Sequence, residues 1–275
     1  MPAYLANLRR HPGCAAFLLT LTIALAADGL RRNTLGRTIV YCVAVALSVL
    51  AIDAVLSQWP VNVQPIPVRS PLLETAVAAI IMVAGFGCLS ALFIAQYRPS
   101  SAMGRLLFVA IGLGSAFGAT LAIFLWARRY GLSDLGVRSD RLLLALPVAA
   151  IFFALASTFA RGSILNVVQS RESFTAWMAA VPVAAVSEEF LRFVWQTRLA
   201  ALRGNKAFGW IIAACAWAIM HGPRFWAENG ILHGTLGVMN IIPIGLLFGY
   251  LTHRSQSFLP AALTHATNIW GLQNL

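Results

Sequence analysis

Charge is scarce in this 275-residue chain, and lysine is scarcest, with Lys206 the single example. Only 11% of residues are Asp, Glu, Lys or Arg, where a soluble domain carries about 25%. That shortage excludes an ordinary water-soluble fold. Cysteine patterning is also missing. Cys14, Cys42, Cys88 and Cys215 lie in or beside apolar runs without C-x-x-C spacing, so neither a disulfide framework nor a zinc knuckle is expected. The chain has no H-E-x-x-H motif, and its two halves show no internal repeat of the kind many carriers have. What is abundant is hydrophobic sequence, at 59% of residues and a mean hydropathy of +0.77. The expectation is an all-α, polytopic transmembrane helix bundle with no separate soluble domain. A net charge of +11 would suggest nucleic acid in a soluble protein. Here the arginines sit between apolar runs, so they read as topology anchors on anionic lipid, and no nucleic-acid partner is expected. Arginine-rich, lysine-poor usage fits a GC-rich bacterial genome, and hence a bacterial inner (plasma) membrane.

Taken in order, Cys14 to Ala27 is the first apolar run, preceded by Arg9, Arg10 and His11. The layout is that of a signal peptide, but another span follows at once, so a retained helix is expected. Thr38 to Leu56, Pro71 to Gln96, Gly104 to Ala127 and Arg141 to Ala160 are further spans. A proline-bearing interfacial linker, Ser57 to Ser70, and a charged loop, Arg128 to Asp140, separate them. Asp53 and Glu74 lie close to span ends, where they are expected to reach water. Arg161 to Glu172 reads as a polar connector. Ser173 to Leu202 exceeds the ~20 residues needed to cross a bilayer, and Pro182 is expected to bend it. Ala207 to Met220 is short and ends in His221-Gly222-Pro223, a strong stop signal. A polar break from Arg224 to Gly230 then leads to spans at Ile231 to Thr252 and Phe258 to Leu272. The count is eight or nine crossings, and the positive-inside rule favours a cytoplasmic N-terminus.

The unusual stretch is Val181 to Arg198, where Glu188 and Glu189 stand side by side within apolar sequence. An acidic residue at the centre of a membrane helix costs roughly 2.5 to 3.5 kcal/mol. A helix end dipping into the headgroups, or a structural ion pair with Arg192, would be the plain explanation. The alternative is a site, because His221, His265 and Asn268 fall on neighbouring segments. Peptide-bond hydrolysis within a membrane needs a base to activate water, donors for the oxyanion and an acid for the leaving amine. A buried carboxylate suits the first role. His265 and Asn268 are three apart and share a helix face; Glu188 and Arg192 are four apart and do the same.

SEEFLR, WAIMH and HATN, each on a separate apolar segment, resemble the CAAX-protease and bacteriocin-processing (CPBP, or Abi) family of glutamic-type intramembrane endopeptidases, whose motifs are EExxxR, FxxxH and HxxxN. The resemblance covers roughly Ser173 to Leu275. It implies a four-helix catalytic core in residues 173–275, with residues 1–172 supplying N-terminal helices of unknown role. It also implies Glu188 as general base, Glu189 assisting it, His221 positioning water, and His265 with Asn268 lining the oxyanion site. The substrate would be a membrane-anchored protein or peptide, with no cofactor. Two motifs are shifted. Arg192 comes one residue early, which turns it about 100° around the helix and suggests Glu188 as its partner. Asn268 likewise comes one residue early. Trp217 replaces the Phe of FxxxH and could wall the site. Three other readings use the same residues: a zinc protease, with Glu188 or Glu189, His221 and His265 as ligands; an ion-coupled transporter; and a non-catalytic scaffold or immunity protein.

Overall fold

The structure, a computed structural model, describes residues 11–60, 65–94, 102–159 and 185–270. All regular structure among them is helical. The helices are α1 (Pro12–Arg31), α2 (Leu35–Gln58), α3 (Pro71–Ile94), α4 (Ala102–Ala122), α5 (Leu146–Phe159), α6 (Ser187–Arg203), α7 (Lys206–Met220), α8 (Gly222–Ser255) and α9 (Leu259–Trp270). The polar connector Arg161 to Glu172 and the bend expected at Pro182 lie outside the described residues. Among the described residues, four helical stretches are long and apolar enough to cross a membrane: α1, α2, Pro71–Cys88 of α3, and α8. The protein is a helical membrane protein.

The outer helices turn their apolar side chains away from the protein. Only 22% of the most apolar window of α1, and of α2, is buried. Leu19, Ile23, Ile80, Val83 and Ile111 are each more than half exposed. In water such a surface would be an aggregation liability; against acyl chains it costs nothing. The polar side chains point inward instead. Helix α6 is the least apolar of the long helices by sequence, yet every residue from Ser187 to Val194 is buried. It is the axis of the bundle, packed against α3, α4, α7, α8 and α9.

Asn205 caps α7, its side-chain oxygen accepting from the Ala207 and Phe208 N–H groups at 3.0 and 3.1 Å. His221 closes α7, as the stop signal predicts. The expected polar break from Arg224 to Gly230 is not a loop, however: α8 starts at Gly222, directly after His221. Proline at the first turn of a helix loses an N–H that had no partner anyway, so Pro223 ends one helix and begins the next. The interruption falls at Gly230, with φ 74° and ψ 170°, a conformation that glycine alone adopts freely. At the other end of α8, the Ser257 hydroxyl donates to the Gly136 carbonyl at 2.7 Å, fixing the α8–α9 turn against the loop before α5.

Glu74 corrects a second expectation. It does not reach water: it is 1% exposed. One carboxylate oxygen accepts from the Tyr130 hydroxyl at 2.7 Å, Arg128 Nη2 at 2.9 Å and the Ser70 N–H at 3.0 Å. The other accepts from Arg198 Nε at 3.3 Å. Arg198, near the end of α6, is fully buried, and its guanidinium lies 4.8 Å from the Phe124 ring centroid. The charged group stays inside because the helix entry at Pro71 curls the chain over it, supplying N–H donors that water would otherwise replace. Removing one partner of such a pair strands the other. Glu74→Ala is therefore expected to cost about 3–5 kcal/mol, read as a lower midpoint in thermal unfolding of the detergent-solubilised protein. An unchanged midpoint would show that Arg198 does not depend on Glu74.

Candidate active site

Helix α6 presents its two carboxylates to different partners. Glu189 is fully buried and pairs with Arg192 of the same helix. Its other oxygen lies 2.8 Å from His265 Nδ1 on α9. A carboxylate paired with arginine accepts, so His265 Nδ1 carries the proton. Arg192 therefore contacts Glu189 directly, while the charge of Glu188, its partner by helical spacing, acts on it from farther off. Both i+3 and i+4 neighbours share a face; Arg192 also donates through Nη1 to the Gly245 carbonyl of α8 at 2.6 Å.

Glu188 is 8% exposed. Its Oε2 accepts from the indole N–H of Trp217 on α7 at 2.7 Å and lies 3.8 Å from His221 Nε2. His221 Nδ1 is 2.8 Å from the Trp217 carbonyl, which can only accept, so Nδ1 carries that proton. The His221 side chain is 26% exposed, the most accessible group of the cluster. The Trp217 ring lies between the two carboxylate systems. Its centroid is 4.7 Å from the His221 ring and 6.0 Å from the His265 ring, and Arg192 sits 5.4 Å from it. Phe248 of α8 stacks on His265 at 5.0 Å. Asn268 is buried one turn beyond His265, and among the described residues its Oδ1 has no hydrogen-bond partner.

Glu188, Glu189, Arg192, Trp217, His221 and His265 thus form one connected cluster from α6, α7 and α9, with Asn268 buried on the same helix as His265. Among the described residues, no group of three His, Cys, Asp or Glu side chains is placed to hold a metal ion. Sequence reasoning missed the contribution of α8. Besides Gly245, its Leu246 and Gly249 carbonyls accept from Trp210 Nε1 at 2.7 Å and Gln196 Nε2 at 2.9 Å. Helices α6 and α7 reach this backbone because residues 245 and 249 lack side chains. A Cβ on Gly249 would lie 2.8 Å from Gln196 Oε1 and from Trp210 Cδ1. The spacing G-x-x-x-G was the available signal. Nothing local could have flagged Glu74 and Arg198, which are far apart in the chain.

Residues 170–270 match the family model described as Type II CAAX prenyl endopeptidase Rce1-like. This agrees with the resemblance carried by SEEFLR, WAIMH and HATN, and marks the C-terminal segment as similar to membrane proteases. No curated protein and no solved structure matches the chain.

Because Glu189 relies on Arg192 for its charge, Arg192→Leu alone is expected to destabilise by about 3–5 kcal/mol, whereas the double variant Glu189→Leu/Arg192→Leu regains most of that loss. Thermal unfolding of the two proteins side by side measures it. A single variant as stable as the native protein would contradict the pairing.

Proposed function

We propose that this protein is a glutamic-type intramembrane endopeptidase that hydrolyses a peptide bond of a membrane-associated protein or peptide. The observation that carries the reading is the facing pair Glu188 Oε2 and His221 Nε2, 3.8 Å apart and partly open on the histidine side. That separation suits one water held by both groups. In the proposed mechanism the water oxygen attacks the scissile carbonyl carbon while Glu188 takes its proton. The carbonyl electron pair moves onto oxygen, where Asn268 and His265 stabilise it. His265 donates through Nε2 when its ring carries a proton on both nitrogens, with Nδ1 held by Glu189. Collapse of the tetrahedral species expels the amine, which receives the proton from Glu188. Arg192 and Glu189 hold His265 in place.

The proposed catalytic unit is residues 173–275, a four-helix core of the CPBP type, with residues 1–172 supplying N-terminal transmembrane helices of unknown role. Eight or nine crossings of a bacterial inner membrane are proposed, on the basis of the apolar runs and the arginine-rich composition. No cofactor is proposed.

Glu188→Gln keeps shape and hydrogen-bonding oxygen but removes the base. In cells producing the full-length protein, cleaved termini of membrane proteins are expected to appear with the native chain and fall at least ~10²-fold with the variant. Equal amounts would favour a scaffold. Cleavage in isolated membranes is expected to withstand a zinc chelator; loss with chelator and recovery with added zinc would establish the zinc-protease reading instead.

A further inference from the structure

The site holds a residue that neither the family match nor the proposed roles assign. We infer that Trp217 is the positioning residue of the hydrolytic water: its indole N–H fixes Glu188, and its backbone carbonyl orients His221, so that both present acceptor atoms to the same point. The inference rests on the endopeptidase reading above.

A backbone carbonyl has no proton to give, so the 2.8 Å contact places the hydrogen on His221 Nδ1. In the neutral ring Nε2 is then an acceptor. It faces Glu188 Oε2, also an acceptor, at 3.8 Å. Two acceptors do not bond each other, and 3.8 Å is beyond direct hydrogen-bond range. A water between them donates one proton to each. Two bonds of about 2.8 Å that span this separation meet at the water at close to a right angle, near its own geometry. Both lone-pair groups then face the water's protons, which leaves its oxygen as the nucleophile.

Neither acceptor holds that position unaided. Arg192, the natural partner for Glu188 by helical spacing, is committed to Glu189 and Gly245. The Trp217 N–H is the donor from which Glu188 accepts, at 2.7 Å. His221 is the residue that ends α7, where a side chain has fewer neighbours, and its orientation comes from the Trp217 carbonyl one turn back. One residue thus sets both halves. Its ring is held as well: a Cβ on Gly245 would sit 3.0 Å from Trp217 Cε3, so α8 packs flush against it.

The resembled family has phenylalanine at this position in FxxxH. Phenylalanine supplies the wall and the carbonyl but no N–H. The indole N–H is therefore what this chain adds to that motif, and it can be removed without changing shape. In 3-benzothienylalanine, sulfur replaces the N–H.

The test uses the full-length protein in native membranes and in lipid nanodiscs. The reporter is any membrane-protein terminus whose formation stops in Glu188→Gln. Replacing Trp217 by 3-benzothienylalanine, and separately by Phe, is expected to slow its appearance about tenfold or more, the scale of loss that misplacing a reacting group produces, with unchanged amounts of folded protein. Independently, the indole ¹H–¹⁵N resonance that disappears in Trp217→Phe is expected far downfield, and Glu188→Ala moves it upfield. Full-rate cleavage in the benzothienylalanine protein, or an indole resonance that ignores Glu188→Ala, would overturn the inference and leave the endopeptidase reading standing. If no terminus depends on Glu188, the endopeptidase reading itself falls, and the positioning role falls with it.

Discussion

The structure depends on how ionic charge is kept inside a bundle whose outside is lipid. Helix α6 carries four charged side chains over its buried length, Glu188, Glu189, Arg192 and Arg198. Each unpaired charge at that depth would cost several kcal/mol. Three of the four are matched with an opposite charge: Glu189 with Arg192, and Arg198 with Glu74 across to α3. Glu188 is in direct contact instead with a neutral donor, the Trp217 indole, and a neighbouring imidazole, with the Arg192 charge acting on it from farther off. In the proposed mechanism that difference in direct partner separates the acid that acts on water from the acid that holds the framework.

The surrounding helices follow from this. Because α6 must be wrapped on all sides, the chain surrounds it with α3, α4, α7, α8 and α9. Because its side chains need acceptors, α8 offers backbone carbonyls at Gly245, Leu246 and Gly249, where two glycines let the neighbours approach. The outer helices need none of this and are simple apolar cylinders. The polar interior and apolar exterior are two consequences of one solvent, the bilayer, which rewards no polar contact that the protein does not supply itself.

Much of this was legible in the amino-acid order. Apolar run lengths foretold the helices, and an acidic pair within apolar sequence foretold where buried polar side chains would cluster. His221 at the end of a short helix was readable from His-Gly-Pro, although the same proline was misjudged as the start of a loop because its second role, opening a helix, has the same signature. The direct partner of Arg192 was not legible for a similar reason: helical spacing permits i+3 and i+4 equally, and the contact made is with Glu189, while the guanidinium also bonds a carbonyl 53 residues away. Glu74 looked like an interfacial acid because only folding brings Arg198 to it. Local rules read elements and candidate faces; which member of a face pairs with which is decided by the third dimension.

The claim at the centre is that Glu188 is free to act on a water shared with His221, while Glu189 is the member of the pair bound to arginine. Cryo-electron microscopy of the full-length protein in lipid nanodiscs, at a resolution that shows ordered water, tests it most directly. The account expects density for one water in hydrogen-bonding reach of both Glu188 Oε2 and His221 Nε2, with Arg192 on Glu189. Arg192 paired with Glu188, or a dry contact closing Glu188 against His221, would contradict it.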